Sequence, residues 1–306
     1  MSDAAASPQA APSFAHAVAT WLKVGCIGFG GPAGQIALMH RIVVDEKRWL
    51  DEKRFLHALN FCMLLPGPEA QQLATYVGWR LHGIAGGLAA GLLFVLPGAL
   101  VVLALSMLYA GYRDLALVAA VFYGIKPAVA AIVLEALVRI GRRALKGRSH
   151  VAVAAAAFVG IFFLDLPFPL IILAAGVAGL ILPLASAKDD ADTVPDRARP
   201  TILRTAVIVA TGLILWLGPV DALLAVFGNG HVLSDIATFF SKMAVVTFGG
   251  AYAVLAYVAQ AAVGDYGWLA PGEMVDGLGL AETTPGPLIL VLEFVGYMAA
   301  FRHGLG

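Results

Sequence analysis

The chain has 306 residues, of which 60% are hydrophobic and 13% are charged, and its mean hydropathy is +0.85. A soluble domain carries roughly 25% charged residues, so this composition excludes a soluble globular protein and predicts an integral membrane protein. Alternating segments of about ten residues, typical of a transmembrane barrel, are absent, which leaves an all-α polytopic membrane protein. The formal charge of zero and the lack of a basic tract give no reason to expect nucleic acid as a partner.

Residues 1–12, rich in Ala, Pro and Ser, are expected to form a disordered tail. Four apolar pieces follow, at 14–27, 33–44, 55–65 and 70–81, and each is too short for a full span, which needs about 20 residues. Phe29-Gly30-Gly31-Pro32 separates the first two pieces, and Pro66-Gly67-Pro68 separates the last two. We therefore predict two pairs of half-helices, which form either broken transmembrane helices or re-entrant hairpins.

Five apolar segments that are predicted to cross the membrane follow at 84–109, 115–140, 151–164, 167–184 and 202–217. Pro97 and Pro127 are expected to bend the first two of these segments. The polar residues 186–200 are expected to form a cytoplasmic linker, and residues 218–231 a loop on the opposite side of the membrane.

The broken region occurs twice, at a constant offset of 219 residues. Lys23, Trp49 and the Pro-Gly-Pro motif at Pro66 recur as Lys242, Trp268 and the Pro-Gly-Pro motif at Pro285, and 12 of the 46 paired positions are identical. These identities fall mainly on Gly, Pro, Trp and Lys, whereas generic apolar composition would place them on Ala, Leu and Val. The sequence therefore predicts an internal duplication, with a first domain at 13–185 and a second at 201–306.

The distribution of basic residues predicts that the two copies face opposite sides of the membrane. Residues 40–54 of the first copy contain five Lys and Arg residues, and the equivalent residues 259–273 contain none. Basic residues favour the cytoplasmic side of short loops, and five crossings between the copies would invert the second one. This is an inverted-topology repeat, a design of many secondary transporters. The second copy has no counterpart of the membrane spans that follow the broken region in the first copy. We expect that the chain is a truncated product, rather than that a partner supplies the missing helices.

The breaks are the predicted binding site, because a helix that begins within the bilayer has unpaired backbone N–H groups and a positive dipole end. Four such helix starts that converge near the middle of the membrane would bind an anion mostly through the backbone. The alternative is that the glycines only permit close helix packing. The predicted substrate-binding residues at the breaks are Gly30, Gly31, Pro32, Gly67, Gly249, Gly250 and Gly286.

Lys23 and Lys242 are the predicted cationic residues of the site, since they occupy equivalent places before each Phe-Gly-Gly motif. A lysine within the membrane is a functional candidate by default, and the alternative is that each one extends toward the interface. Lys126 is a further cation within a span, without an equivalent in the other copy.

Five polar residues near the Pro-Gly-Pro motifs complete the prediction. Gln71 and Gln72 can donate hydrogen bonds to an oxyanion. A coupling proton could bind Glu69, Glu282 or Glu293 if their surroundings stabilise the neutral acid, although lumen-facing or helix-capping carboxylates would explain these residues equally well.

Nothing in the sequence predicts an enzyme, a metal site or a cofactor. The seven histidines are scattered, and Cys26 and Cys62 lie in apolar surroundings without metal-ligand spacing. No nucleophile with a neighbouring base, phosphate loop or cofactor motif is visible.

At these residues the chain resembles the chromate ion transporter family. The matching segments are Phe29-Gly30-Gly31-Pro32, Trp49, Leu65-Pro66-Gly67-Pro68 with Gln71-Gln72-Leu73-Ala74, Phe94-Val95-Leu96-Pro97-Gly98, Phe248-Gly249-Gly250, and Glu282-Thr283-Thr284-Pro285-Gly286-Pro287. The resemblance implies two homologous membrane domains of opposite orientation in a bacterial inner membrane, and export of chromate that confers resistance. Sulfate, a tetrahedral dianion of the same shape, is the expected competitor.

The sequence leaves alternatives open at the level of function. The chain could be a sulfate or other oxyanion permease, or a non-transporting membrane subunit. It also leaves open whether the protein forms a homodimer.

Overall fold

The computed structural model describes residues 12–145, 147–164, 166, 168–181, 202–247 and 251–305, and within these ranges all regular structure is helical. The chain forms two compact units, of which unit 1 contains Met1–Ile132 and Phe240–Gly306 and unit 2 contains Val133–Phe239. The predicted tail falls outside the described residues except at Pro12, and the predicted linker falls wholly outside them. Unit 1 thus combines the broken regions of both sequence repeats, whereas the predicted domains follow the repeats themselves.

The first repeat begins with short helices whose positions agree with the predicted pieces. Helix α1 spans Phe14–Ile27, α2 spans Gly31–His40 and continues in a π-helical turn at Arg41–Glu46, and α3 spans Glu52–Met63. The charged residues at 51–54 form the start of α3, because the Asp51 carboxylate accepts a 2.8 Å hydrogen bond from the Arg54 N–H and caps that helix.

Helix α4 spans Glu69–Tyr112 but folds back on itself at His82 and Gly83, whose backbone torsions are not helical. We call its two parts α4a (residues 69–81) and α4b (residues 84–112). They pack as an antiparallel hairpin, because a Cβ at Gly78 would collide with the backbone of Gly86, and one at Gly91 would lie 2.6 Å from Thr75 Oγ1. The sharp change of direction therefore occurs at Gly83, which has a positive φ, and the residues around Pro97, where we expected a bend, keep helical torsions.

Four helices follow: α5 at Ala116–Ala144, α6 at Arg148–Phe162, α7 at Phe168–Ile181 and α8 at Ile202–Phe227. Helices α6 and α7 form a pair, in which the Leu166 N–H donates to the Gly160 carbonyl at 3.0 Å. The prediction of a loop from residue 218 was wrong, because α8 continues through Pro219 to Phe227. Residues 221–227 are rich in Ala and Leu, which favour the helix.

The second repeat has the same order of elements as the first. Helix α9 spans Val232–Val246, α10 spans Ala251–Gln260 with a π-helical turn at Ala261–Asp265, α11 spans Glu273–Thr283, and α12 spans Val291–Arg302 after a 3-10 turn at Leu288–Leu290. Even the hydrogen bond that ends each π-helical turn is repeated, since Lys47 N–H donates to Ile42 and Tyr266 N–H donates to Ala261, both at 2.9 Å. The internal repeat is therefore present in the backbone as well as in the sequence.

Three of the described helices are long and apolar enough to cross a membrane, at Glu69–Tyr112, Ala116–Glu135 and Ile202–Phe227. Helix α8 buries none of its residues, and Ile202 is 88% exposed although it is fully apolar. Such a surface is compatible with lipid and not with water. The fold class is therefore that of an all-α membrane protein with interrupted helices.

Candidate functional site

The break between α1 and α2 consists of glycines in conformations that other residues rarely adopt. Gly30 and Gly31 have φ values of 87° and 64°, and Pro32 follows in the first turn of α2. None of the described side chains caps α2. The first N–H groups of this helix have no partner within the helix itself.

The two Pro-Gly-Pro breaks have matching backbone geometry. Gly67 has a φ of 110° and Gly286 a φ of 103°, and in each break the second proline is the residue before the next helical segment. Side chains cap neither α4 nor the 3-10 turn before α12, whereas α1 and α3 are capped by Ser13 and Asp51. Uncapped helix starts are thus found at the breaks of the first repeat and at the second Pro-Gly-Pro motif.

The breaks of one repeat are hydrogen-bonded to the breaks of the other. At what we call the first junction, the Gly286 N–H donates to the Gly28 carbonyl at 3.0 Å, which joins the second Pro-Gly-Pro motif to the end of α1. At the second junction, the Gly67 N–H donates to the Thr247 carbonyl at 2.7 Å, which joins the first Pro-Gly-Pro motif to the residue after α9. Gly28 and Thr247 are separated by the repeat offset, and so are Gly67 and Gly286.

Each junction is therefore the repeat-related copy of the other. When two copies are related by a two-fold axis, residue i of the first copy contacts residue j of the second, and residue j of the first copy contacts residue i of the second. The structure brings the breaks together in pairs, each pair made from both repeats. Gly249 and Gly250, which were predicted to belong to the site, lie outside the described residues.

Helix α4b passes close to the first junction at Pro97 and Gly98. Because Pro97 has no N–H, the Leu93 carbonyl has no partner within the helix, and this oxygen lies so close to Gly25 of α1 that a Cβ there would collide with it. A Cβ at Gly98 would likewise collide with the Pro285 carbonyl of the second Pro-Gly-Pro motif. The Pro-Gly pair thus allows α4b to pack directly against α1 and this motif.

The predicted polar residues of α4a lie around the first Pro-Gly-Pro motif. The Gln72 amide donates to the Pro66 carbonyl at 2.5 Å, and its Oε1 is buried without a hydrogen-bond partner in the described part of the chain. Gln71 extends toward Gly91 of α4b. Glu69, half-buried at the start of α4a, lines a cavity of about 40 Å³ together with Met63, Leu65 and Gly67.

The two predicted carboxylates of the second repeat differ in their partners. Tyr252 donates a short hydrogen bond to Glu282, and its hydroxyl would lie 4.0 Å from a Cβ at Gly31. Glu282 is thus indirectly connected to the start of α2. Glu293, in the first turn of α12, has a buried Oε2 without a partner among the described residues.

Lys23 and Lys242 are both exposed, on α1 and α9 respectively. Lys23 lies on the side of α1 away from the buried face formed by Ala17, Trp21 and Val24. Within the described residues neither ammonium group has an ion-pair partner. Lys126 differs, because its Nζ lies 3.3 Å from the Asp276 carboxylate.

A buried charged cluster on α11, which was not predicted from the sequence, consists of Glu273, Asp276 and their partners. Glu273 accepts from the Arg302 guanidinium at 2.8 and 2.7 Å and forms a short ion pair with Arg113. Asp276 accepts from the Tyr109 hydroxyl at 2.9 Å in addition to its contact with Lys126. The i, i+3 spacing of the two acids on one helix face was the available signal, but their cations lie on α5, on α12 and directly after α4.

No group of three or more His, Cys, Asp and Glu side chains suited to a metal ion is found in the residues that the structure describes.

These features define a class of protein: an all-α membrane protein in which two copies of a broken-helix unit pair through their breaks. The sequence profile described as Chromate transporter matches residues 15–180 and 234–305, and the two matched regions begin one repeat offset apart. The chain belongs to the chromate transporter family, which is a family of transporters.

Named relatives agree with this family. The chain is 36% identical to a chromate transport protein of Pseudomonas aeruginosa over 94% of this chain and 67% of that protein. It is 30% identical to a chromate transport protein of Cupriavidus metallidurans over 98% and 72% of the two chains. A probable chromate transport protein of Synechococcus elongatus is 29% identical over 92% and 68%. No solved structure shows significant similarity to this chain.

Proposed function

We propose that this protein is a multi-pass transporter of the inner membrane that exports chromate and so confers chromate resistance. The family and the names of its relatives support chromate as the substrate. The observation that carries the mechanism is the reciprocal pairing of the breaks, in which the Gly286 N–H donates to Gly28 and the Gly67 N–H donates to Thr247.

The proposed binding groups are the N–H groups at the uncapped starts of α2, α4 and the turn before α12. These groups carry the positive ends of the helix dipoles and suit a dianion with four oxygens. Gln71 and Gln72 would add side-chain donors, and Gly249 and Gly250 would supply the equivalent of Gly30 and Gly31. This arrangement resembles the substrate sites of transporters built from discontinuous helices.

The proposed transport cycle opens one junction at a time. In an inverted repeat, two equivalent junctions face opposite sides of the membrane, so that opening either of them exposes the site to one side. The excess of basic residues at 40–54 over 259–273 supports this orientation. Lys23 and Lys242 would balance the charge of the dianion as it enters from either side.

The membrane potential supplies a driving force for export. An inside-negative potential favours outward movement by about 2.3 kcal/mol per elementary charge per 100 mV, and a dianion carries two charges. Export therefore does not require a coupling ion. A coupling proton, if one is used, would bind Glu69, Glu282 or Glu293, of which Glu293 has a buried oxygen with no partner among the described residues.

Reconstitution of the purified chain into liposomes tests this proposal. We expect uptake of labelled chromate that increases with an inside-positive diffusion potential and that unlabelled chromate abolishes. The variant Gly286→Ala should remove this flux, whereas Gly124→Ala, at a helical position where a Cβ meets nothing within 4 Å, should retain it. Absence of flux from well-folded protein would contradict the proposal and favour a non-transporting membrane subunit.

The same vesicles distinguish chromate from sulfate. Both are tetrahedral dianions, and a site made of backbone N–H groups recognises charge and shape rather than the central atom. If labelled sulfate is carried at low concentration and chromate competes only weakly, the protein is a sulfate permease. The proposed oxyanion site would then still hold, with sulfate as its preferred substrate.

A further inference from the structure

Gln35 breaks the equivalence of the two junctions. It lies on α2 with a fully buried side chain, and its Nε2 donates to the Gly28 carbonyl at 3.1 Å and to the Gly286 carbonyl at 2.5 Å. One amide group thus bridges the end of α1 and the second Pro-Gly-Pro motif. These are the same two residues that the backbone hydrogen bond of the first junction joins.

The orientation of this amide is determined by its surroundings. Exchanging its oxygen and nitrogen would place Oε1 against two carbonyl oxygens, which would repel it. In the present orientation Oε1 is buried and has no partner among the described residues. Burial of this oxygen costs free energy, and the two hydrogen bonds that Nε2 donates must compensate for that cost. An amide is therefore unfavourable at this position unless its hydrogen bonds hold the junction closed.

Within the described part of the chain, the second junction has no equivalent of the Gln35 amide. The residue one repeat offset after Gln35 is Val254, which is fully buried and has no donor. Gln72, the amide nearest the second junction, donates to Pro66 of its own motif and not across the junction to Thr247. Among the described residues, one backbone hydrogen bond closes the second junction, whereas one backbone and two side-chain hydrogen bonds close the first.

We infer that Gln35 is a positioning residue that keeps the first junction closed, so that the second junction opens more readily and sets the resting orientation of the transporter. The inference rests on the proposed function where it concerns transport. The difference between the junctions does not depend on the proposed function, since it is inferred from the hydrogen bonds among the described residues.

Amide hydrogen exchange measures each junction directly. Proline has no amide proton, so Gly67 and Gly286 each supply the only exchangeable backbone amide of their Pro-Gly-Pro motif. In the unaltered chain we expect the Gly286 amide to exchange roughly tenfold more slowly than the Gly67 amide. A difference of this size corresponds to about one additional net hydrogen bond at the first junction. In Gln35→Val this difference should disappear because Gly286 speeds up, while Gly67 keeps its rate.

The reverse substitution provides the matched test. Val254→Gln introduces the same amide at the second junction, and we expect slower exchange at Gly67 with no change at Gly286. If the larger side chain prevents folding, the comparison of Gly286 with Gly67 in Gln35→Val decides alone. Equal exchange of the two glycines in the unaltered chain, or equal acceleration of both in Gln35→Val, would overturn the inference.

Transport supplies a readout that a merely structural role would not change. In Gln35→Val we expect the ratio of the chromate KM values measured from the two membrane faces to shift about tenfold, with the ratio unchanged in Gly124→Ala. A loss of flux from both faces without a change in this ratio would assign Gln35 to folding only. If the chain carries no chromate at all, the proposed function fails, but the exchange experiment still tests the junctions.

Discussion

Gly67 donates a 2.7 Å backbone hydrogen bond to Thr247, and this bond is the repeat-related copy of the one that Gly286 donates to Gly28. The relationship means that neither broken unit is complete without the other. The Phe-Gly-Gly break of the first repeat adjoins the Pro-Gly-Pro break of the second repeat. Helix starts for which the described residues provide no side-chain cap are thereby brought together from two distant parts of the chain.

The first prediction concerns the glycines of the Pro-Gly-Pro motifs. Gly67→Ala and Gly286→Ala place a Cβ at φ values near 100°, outside the region that alanine tolerates, and at Gly286 the Cβ would also lie 2.8 Å from Leu290. We expect each substitution to lower the free energy of unfolding by about 1–3 kcal/mol, measured by thermal unfolding in detergent. Gly124→Ala is the control, and equal stability of all three variants would contradict the role of the positive φ.

The second prediction concerns the paired lysines. Replacing Lys23 and Lys242 together by Gln removes the two cations that we place beside the path of the dianion, and we expect chromate flux to fall by about tenfold or more. The amount of protein in the membrane should not change. Replacing Lys47 and Lys53 by Gln removes the same charge from the end of the first π-helical turn and the start of α3, and should leave the flux intact. A similar loss in both double variants would indicate a general effect of charge.

The third prediction concerns the buried acid of α11. The Glu273 side chain is 7% exposed and pairs with Arg113 and Arg302, so Glu273→Gln removes their shared buried counter-charge and leaves Arg113 only its 3.8 Å contact with the exposed Asp114. We expect a loss of about 3 kcal/mol in the free energy of unfolding. Glu52→Gln is the matched control, because Glu52 is 58% exposed in its pair with His40 and should cost less than about 1 kcal/mol.

A double-mutant cycle tests the neighbouring pair in the same cluster. Asp276→Asn and Lys126→Met should each destabilise the protein, and the double variant should lose less than the sum of the two effects, because the residues are in contact. Additive effects would show that the 3.3 Å contact contributes nothing to stability.

The fourth prediction concerns the orientation of the repeats. Glu46 and Asp265 are equivalent residues at the ends of the two π-helical turns, and both are exposed. In a background without Cys26 and Cys62, a membrane-impermeant thiol reagent should label Glu46→Cys only from the cytoplasmic side and Asp265→Cys only from the opposite side. Labelling of both from one side would exclude an inverted repeat.

The sequence by itself determined the class of the protein, the internal repeat and the places where its helices are interrupted. These features are local, because glycine and proline restrict the backbone at their own positions and hydrophobic length sets the span. Helix α1 ends at Ile27, where the apolar piece ends, and α4b begins after Gly83 as the spacing predicted.

The tertiary structure alone decided which breaks meet and which charges pair. Gln35 and Gly286 are 251 positions apart, and Arg113 and Glu273 are 160 apart, so no pattern within one segment could connect them. Lys126 had no equivalent in the repeat and its partner could not be inferred, since Asp276 reaches it only when α11 packs beside α5. The chemistry at each break is thus encoded locally, whereas the pairing of the breaks results from helix packing over the whole of unit 1.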